Sequence, residues 1–157
     1  MASVFDVAEY ILEKIGYVST MKLQKLAFYS QAYSLVLRGR TLFEADFQAW
    51  ANGPVCPALF KVHKGMFIVG RSDLQFPTEI QKLSSAEAEI VDLIIEKLGQ
   101  LNGGELSDLT HSERPWIDAR KGCVEGGRCQ NVISKQSIKT FYGSSDCKNV
   151  VFEGFSR

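Results

Sequence analysis

From Met21 to Arg38 the chain leaves almost no face for water. Leu23, Leu26, Ala27, Phe28, Tyr29, Ala32, Tyr33, Val36 and Leu37 fall around most of a helical circumference. Gln24, Gln31 and Arg38, seven residues apart, form with Ser34 the only clear polar strip. A helix apolar nearly all round belongs in the middle of a small domain, wrapped by other elements. Lys25 is the awkward member, because it points into the apolar side beside Phe28 and Tyr29. A fully buried, unpaired ammonium is too costly, so Lys25 either pairs with a carboxylate or snorkels its head into water.

The rest of the chain supplies the wrapping. Ser3 caps a first helix whose Val4, Ala8, Ile11, Leu12 and Ile15 form one stripe, with Asp6, Glu9 and Glu13 opposite. Gly16 ends it, and Ser19 or Thr20 caps the apolar helix, which Gly39 stops. Thr41 to Asn52 reads either as a short strand or as a loop held down by Phe43, Phe47 and Trp50. After the Gly53-Pro54 turn, a short helix fits Pro54 to Lys64. Phe67 to Val69 is a candidate strand in an otherwise irregular 66–83. Ser84 to Glu87 matches a capping box opening a helix to about Leu101, which Asn102-Gly103-Gly104 terminates. Short helices follow over Glu105 to His111 and from Pro115 through Arg120. Residues 121–133 are glycine-rich and loop-like, and a last helix starts at Ser134. The tail is loose or closes in a short strand at Val150 to Phe152. The pattern predicts a mainly α, compact single-domain bundle over 1–157, with room for one or two short strands. Its 157 residues suffice for one substantial core.

Composition narrows the function. Eighteen basic and eighteen acidic residues cancel, which argues against a general electrostatic grip on nucleic acid or an acidic membrane. The ends carry +2 over 1–40 and +3 over 121–157, against −5 between them, a pattern that lets the ends fold onto the middle. No apolar run approaches the ~20 residues of a membrane span, and acidic residues interrupt the start, unlike a signal peptide. The chain reads as a cytoplasmic domain. Its four cysteines, Cys56, Cys123, Cys129 and Cys147, are then expected as free thiols, and their spacing is not that of a zinc site.

No catalytic or cofactor signature stands out. Walker loops, nucleophile elbows and paired-histidine metal helices are missing, and only His63 and His111 offer imidazoles. The densest polar stretch runs from Thr110 through His111, Glu113, Arg114 and Pro115 to Trp116. His111 beside Glu113 is a candidate acid–base pair for a hydrolase. Trp116 and Arg120, one helical turn apart, are a candidate cation–π contact. The competing reading makes the stretch a corner between helices. A second group, Trp50 with Gly53, Pro54 and Cys56, is either core plus a chain reversal or a rigid aromatic platform for a partner. DNA reading through a helix-turn-helix is disfavoured, because the helix after Gly16 has no polar face for a groove.

Three blocks nevertheless stand in a familiar order: Met21-Lys22-Leu23-Gln24-Lys25-Leu26-Ala27-Phe28-Tyr29-Ser30-Gln31, Phe47-Gln48-Ala49-Trp50-Ala51-Asn52-Gly53-Pro54-Val55, and Leu109-Thr110-His111-Ser112-Glu113-Arg114-Pro115-Trp116. Through them the chain resembles the SocA-like, Panacea-domain antitoxins, also described as phage-associated proteins of the GepA type. The resemblance spans about residues 3–120 and leaves the tail uncovered. It implies an antitoxin that neutralises a protein toxin by direct binding, with no enzymatic activity to carry over. In one branch it implies an adaptor that hands the toxin to a ClpXP-type protease. The matched positions are Leu23, Gln24, Lys25, Leu26, Tyr29, Gln31, Trp50, Gly53, Pro54, Thr110, His111, Pro115 and Trp116. Apolar, glycine and proline members of that set are what a helical framework needs, so toxin specificity is expected in 66–83 and 121–133.

Overall fold

The computed structural model describes residues 1–155. In chain order its helices are α1 (Val4–Ile15), α2 (Thr20–Arg38), α3 (Pro57–His63), α4 (Ser85–Leu98), α5 (Gly103–His111), α6 (Arg114–Ala119) and α7 (Lys135–Tyr142). The fold is mainly α, and the apolar helix takes the place its sequence demands: α1, α4, α5 and α7 all pack on α2. Leu23, Leu26, Ala27, Phe28, Tyr29 and Ala32 are fully enclosed. Tyr29, Phe47 and Tyr142 set their rings edge-on to Phe28, with centroids 5.3–6.1 Å apart.

Helix starts follow the caps. Ser3 Oγ accepts from the Asp6 amide while Asp6 accepts from the Ser3 amide. Asp6 is therefore buried, and its other oxygen accepts from the Gln81 amide at 2.8 Å, so it is not on the wet face of α1. Ser84 and Glu87 close the expected capping box on α4. That helix ends at Leu98, earlier than the apolar pattern suggests. The reason is local: Asn102 and Glu105 exchange side-chain and backbone hydrogen bonds at 2.8–2.9 Å, so Asn102 opens α5 and does not close α4.

The sheet content exceeds the expected one or two strands. β1 (Val18–Ser19) pairs antiparallel with β4 (Ile68–Val69). β2 (Phe47–Trp50) lies between β3 (Gly53–Val55) and β5 (Val132–Ile133), antiparallel to both. Pro54 therefore sits in a strand, and the helix after it begins only at Pro57. The tail at Val150–Phe152 is a 3-10 turn, with Phe152 buried against Tyr142, and not a strand. The loop at 121–133 corrects a further expectation. Its glycines bring Cys123 and Cys129 to a Cα separation of 5.8 Å, where they form a disulfide, while Cys56 and Cys147 are buried thiols.

Candidate functional site

Gln24, Gln31 and Ser34 of the polar strip of α2 are buried, and they bind backbone. Gln31 Oε1 accepts from the Leu42 amide at 2.7 Å while its Nε2 donates to the Phe43 carbonyl at 2.7 Å. Gln24 Oε1 accepts from the Cys56 amide at 2.8 Å, and its Nε2 donates to the Cys56 carbonyl and to His63 Nε2. Ser34 Oγ donates to the Arg40 carbonyl. A connecting segment that crosses a buried helix must find partners for its own amides, and these side chains provide them. Gln24 and Gln31 are thus staples holding residues 40–56 onto α2.

Tyr29 has a similar job on the opposite side. Its hydroxyl donates to Glu113 Oε1 at 2.5 Å, that of Tyr142 donates to the same oxygen at 2.7 Å, and Asn149 Nδ2 donates to Oε2 at 3.0 Å. Burial raises the Glu113 carboxyl above its ordinary pKa, against the lowering effect of these three donors. Glu113 faces the core and His111 does not meet it. The imidazole instead stacks on Trp116, with centroids 3.9 Å apart, and its buried Nε2 has no hydrogen-bond partner among the described residues. Burial holds the His111 pKa below its usual value. The candidate hydrolase pair is therefore not assembled. The physical reason is that α6 restarts at Arg114-Pro115, turning neighbouring side chains to opposite sides.

The corner reading of 110–116 accounts for the geometry. Pro115 is buried in the first turn of α6, and Trp116 Nε1 donates to the Trp50 carbonyl at 2.8 Å. Arg120 lies over the Trp116 ring at 5.2 Å, so the expected cation–π contact forms. Its guanidinium also donates to the carbonyls of Ala49 and Gly127, both at 2.7 Å. Gly53 has φ +113, and a Cβ there would lie 2.7 Å from Lys25 Cε and 2.9 Å from Thr110 Oγ1. Only glycine permits this backbone and this close approach.

These elements enclose one cleft of about 540 Å³, between the start of α2, the β2–β3 hairpin, α3 and the 128–130 loop. Met21, Val55, Trp50 and Phe60 make its apolar walls, with the last two rings 4.9 Å apart. Lys25 and His63 line it, and Arg128 stands at the exposed rim. Neither expectation for Lys25 holds: it is 1% exposed, so it does not snorkel, and no carboxylate pairs with it among the described residues. Burial alone pushes its pKa down to about 7. His63, also lowered by burial, accepts from Gln24 on Nε2 and so lines the cleft as a neutral imidazole.

Beside the cleft lies an apolar patch that faces outward. Tyr17, Met66, Phe67 and Ile68 are all exposed, Phe67 by 76%. They are held in place by the β1–β4 pairing and by the Thr20 amide, which donates to the Phe67 carbonyl at 2.8 Å. Alternation in so short a strand gives little warning of such a patch. His63 and Phe60 of α3 meet Arg128 only through folding, which brings two distant segments together at the cleft.

Residues 23–117 match the family described as antitoxin SocA-like, Panacea domain. The chain belongs to that family. Antitoxin SocA of Caulobacter vibrioides (strain NA1000 / CB15N) is 26% identical over 124 residues, which cover 70% of this chain and 66% of the relative. The chain thus spans just under two thirds of that relative's length. No solved structure matches. Among the described residues of this Panacea-family chain, no helix is long and apolar enough to cross a membrane.

Proposed function

We propose that this antitoxin-family chain neutralises a cognate protein toxin by direct, non-catalytic binding, using a surface outside the family framework. The observation that carries the reading is the division of labour among residues. Leu23, Gln24, Leu26, Tyr29, Gln31, Gly53, Pro54, Thr110 and Pro115 are all buried, and most are tied to backbone or core. They are in no position to touch a partner. The exposed large apolar side chains Met66, Phe67 and Ile68 fall in 66–83, and Val124 and Val132 fall in 121–133. Exposed apolar side chains grouped as at Met66, Phe67 and Ile68 mark interaction sites, and aromatic anchors dominate their binding energy.

Exchanging 66–83 and 121–133 for those of a relative with a different toxin is expected to move specificity with the segments, scored as growth rescue on toxin co-expression. Phe67→Asp with Ile68→Ser is expected to weaken toxin binding at least a hundredfold in a titration, while thermal unfolding stays within about 0.5 kcal/mol of the parent. Specificity that remains with the framework contradicts the proposal, as does unchanged affinity in the double variant.

A further inference from the structure

A lysine buried to 1% exposure with no charge partner is costly to keep in a fold. Here the cost is not offset within the chain. None of the ion pairs among the described residues includes Lys25, and none of the cleft's lining residues is acidic. Gln24, which shares the cleft floor, has its amide committed to Cys56 and His63. What the lysine lacks is an anion, and the cleft has room for one.

We propose that this cleft is a binding site for a small organic carboxylate carried on an apolar, preferably aromatic, body. The carboxylate would meet Lys25 Nζ at the floor, with Arg128 adding positive charge at the rim. The body would lie against Trp50, Phe60 and Met21, where ring–ring contact is available. A volume of about 540 Å³, apolar walls and a single convergent cation are the usual anatomy of a small-molecule site. Phe67 and Ile68 do not line the cleft, although Arg128 at its rim belongs to the 121–133 segment, so the small-molecule titration below is made on the chain without toxin.

The charge state gives the site a pH signature. The groups facing Lys25 are His63 from α3, Arg128 from the 128–130 loop and, at longer range, His111 from α5. Burial shifts both imidazoles downward, away from the lysine's range, and Cys129 is in a disulfide, so the step near pH 7 is assigned to the lysine. An anion binds the ammonium form. Affinity is therefore highest below pH 7 and falls as pH rises through it, with a proton taken up on binding.

The test is calorimetric titration of the full chain with 3-phenylpropionate, 3-phenylpropionamide and inorganic phosphate at pH 6 and 8.5. The carboxylate is expected to bind at least tenfold more tightly than the amide or phosphate at pH 6. Its affinity should drop roughly thirtyfold by pH 8.5, the loss of ammonium form for a pKa of about 7. Lys25→Met should erase the preference for carboxylate over amide while leaving cooperative unfolding intact. Equal binding of acid and amide by the parent chain overturns the proposal without any variant. So does pH-independent affinity, or phosphate binding as tightly as the acid. Failure of the free acid to bind below ~10 mM also overturns it, and leaves the lysine to a carboxylate of a bound protein.

Discussion

Replacing Lys25 with methionine is expected to stabilise the protein by about 5 kcal/mol at pH 6 and by only about 2 kcal/mol at pH 9. In the unfolded chain the ammonium titrates at its ordinary value of 10.5, and in the fold at about 7. Between those values the unfolded state holds more protons, so the stability of the parent rises with pH from about 7 toward 10.5. Below pH 7 both states are protonated and the full penalty of the buried charge is present. Methionine has nearly the shape of the lysine stem and carries no charge, so it removes the penalty and its pH dependence together. Urea unfolding of both proteins across pH 6 to 9 checks this. A difference that stays constant with pH, or a methionine variant less stable at pH 6, contradicts the burial assigned to Lys25. The comparison also bears on function, since a bound anion would offset the penalty that Lys25 imposes on its own fold.

Glu113→Ala is expected to cost about 4 kcal/mol, the largest loss from any single polar side chain here. The carboxylate is the shared acceptor for Tyr29, Tyr142 and Asn149, all deeply buried. Alanine leaves those donors without a partner in the middle of the aromatic cluster and opens a cavity beside them. Glu113→Gln keeps an acceptor oxygen toward the two tyrosines and should lose only about 1 kcal/mol. The pH dependence has a definite sign. Because the folded carboxyl is raised above its ordinary value, its favourable contribution is complete at low pH and declines as pH climbs through the raised pKa. The parent should therefore compare best with the glutamine variant in acid and lose that advantage toward neutral pH. Equilibrium unfolding at pH 4.5 and 7.5 measures it. A glutamine variant as damaged as the alanine one would mean that the charge, and not the acceptor, holds the cluster.

What could be read from the chain was local or periodic. Ser3 and Ser84 announced their helices, since a capping box needs only four residues. The all-round apolar face from Met21 to Arg38 by itself requires that helix at the centre. Features that failed to show were those set by distant partners. Gln24 and Gln31 look alike whether their strip is wet or buried, because heptad spacing fixes a face and not what covers it. β5 is two residues long and exists only because β2 offers an open edge. Lys25 presented a choice between pairing and snorkelling, and the fold takes neither. A cleft, which no stretch of sequence encodes by itself, supplies the missing third possibility. Compartment reasoning predicts free thiols at Cys123 and Cys129, but the glycines between them allow the approach that the disulfide needs.

The proposed mode of action is stoichiometric masking of one protein by another. It is tested most directly by titrating the activity of a candidate cognate toxin with the purified chain. Toxin activity should fall in proportion to added chain and vanish at a fixed integer ratio, with intact toxin recovered when the complex is separated. Loss of activity at far below one chain per toxin, with toxin that remains inactive after separation, would mean turnover and would contradict it.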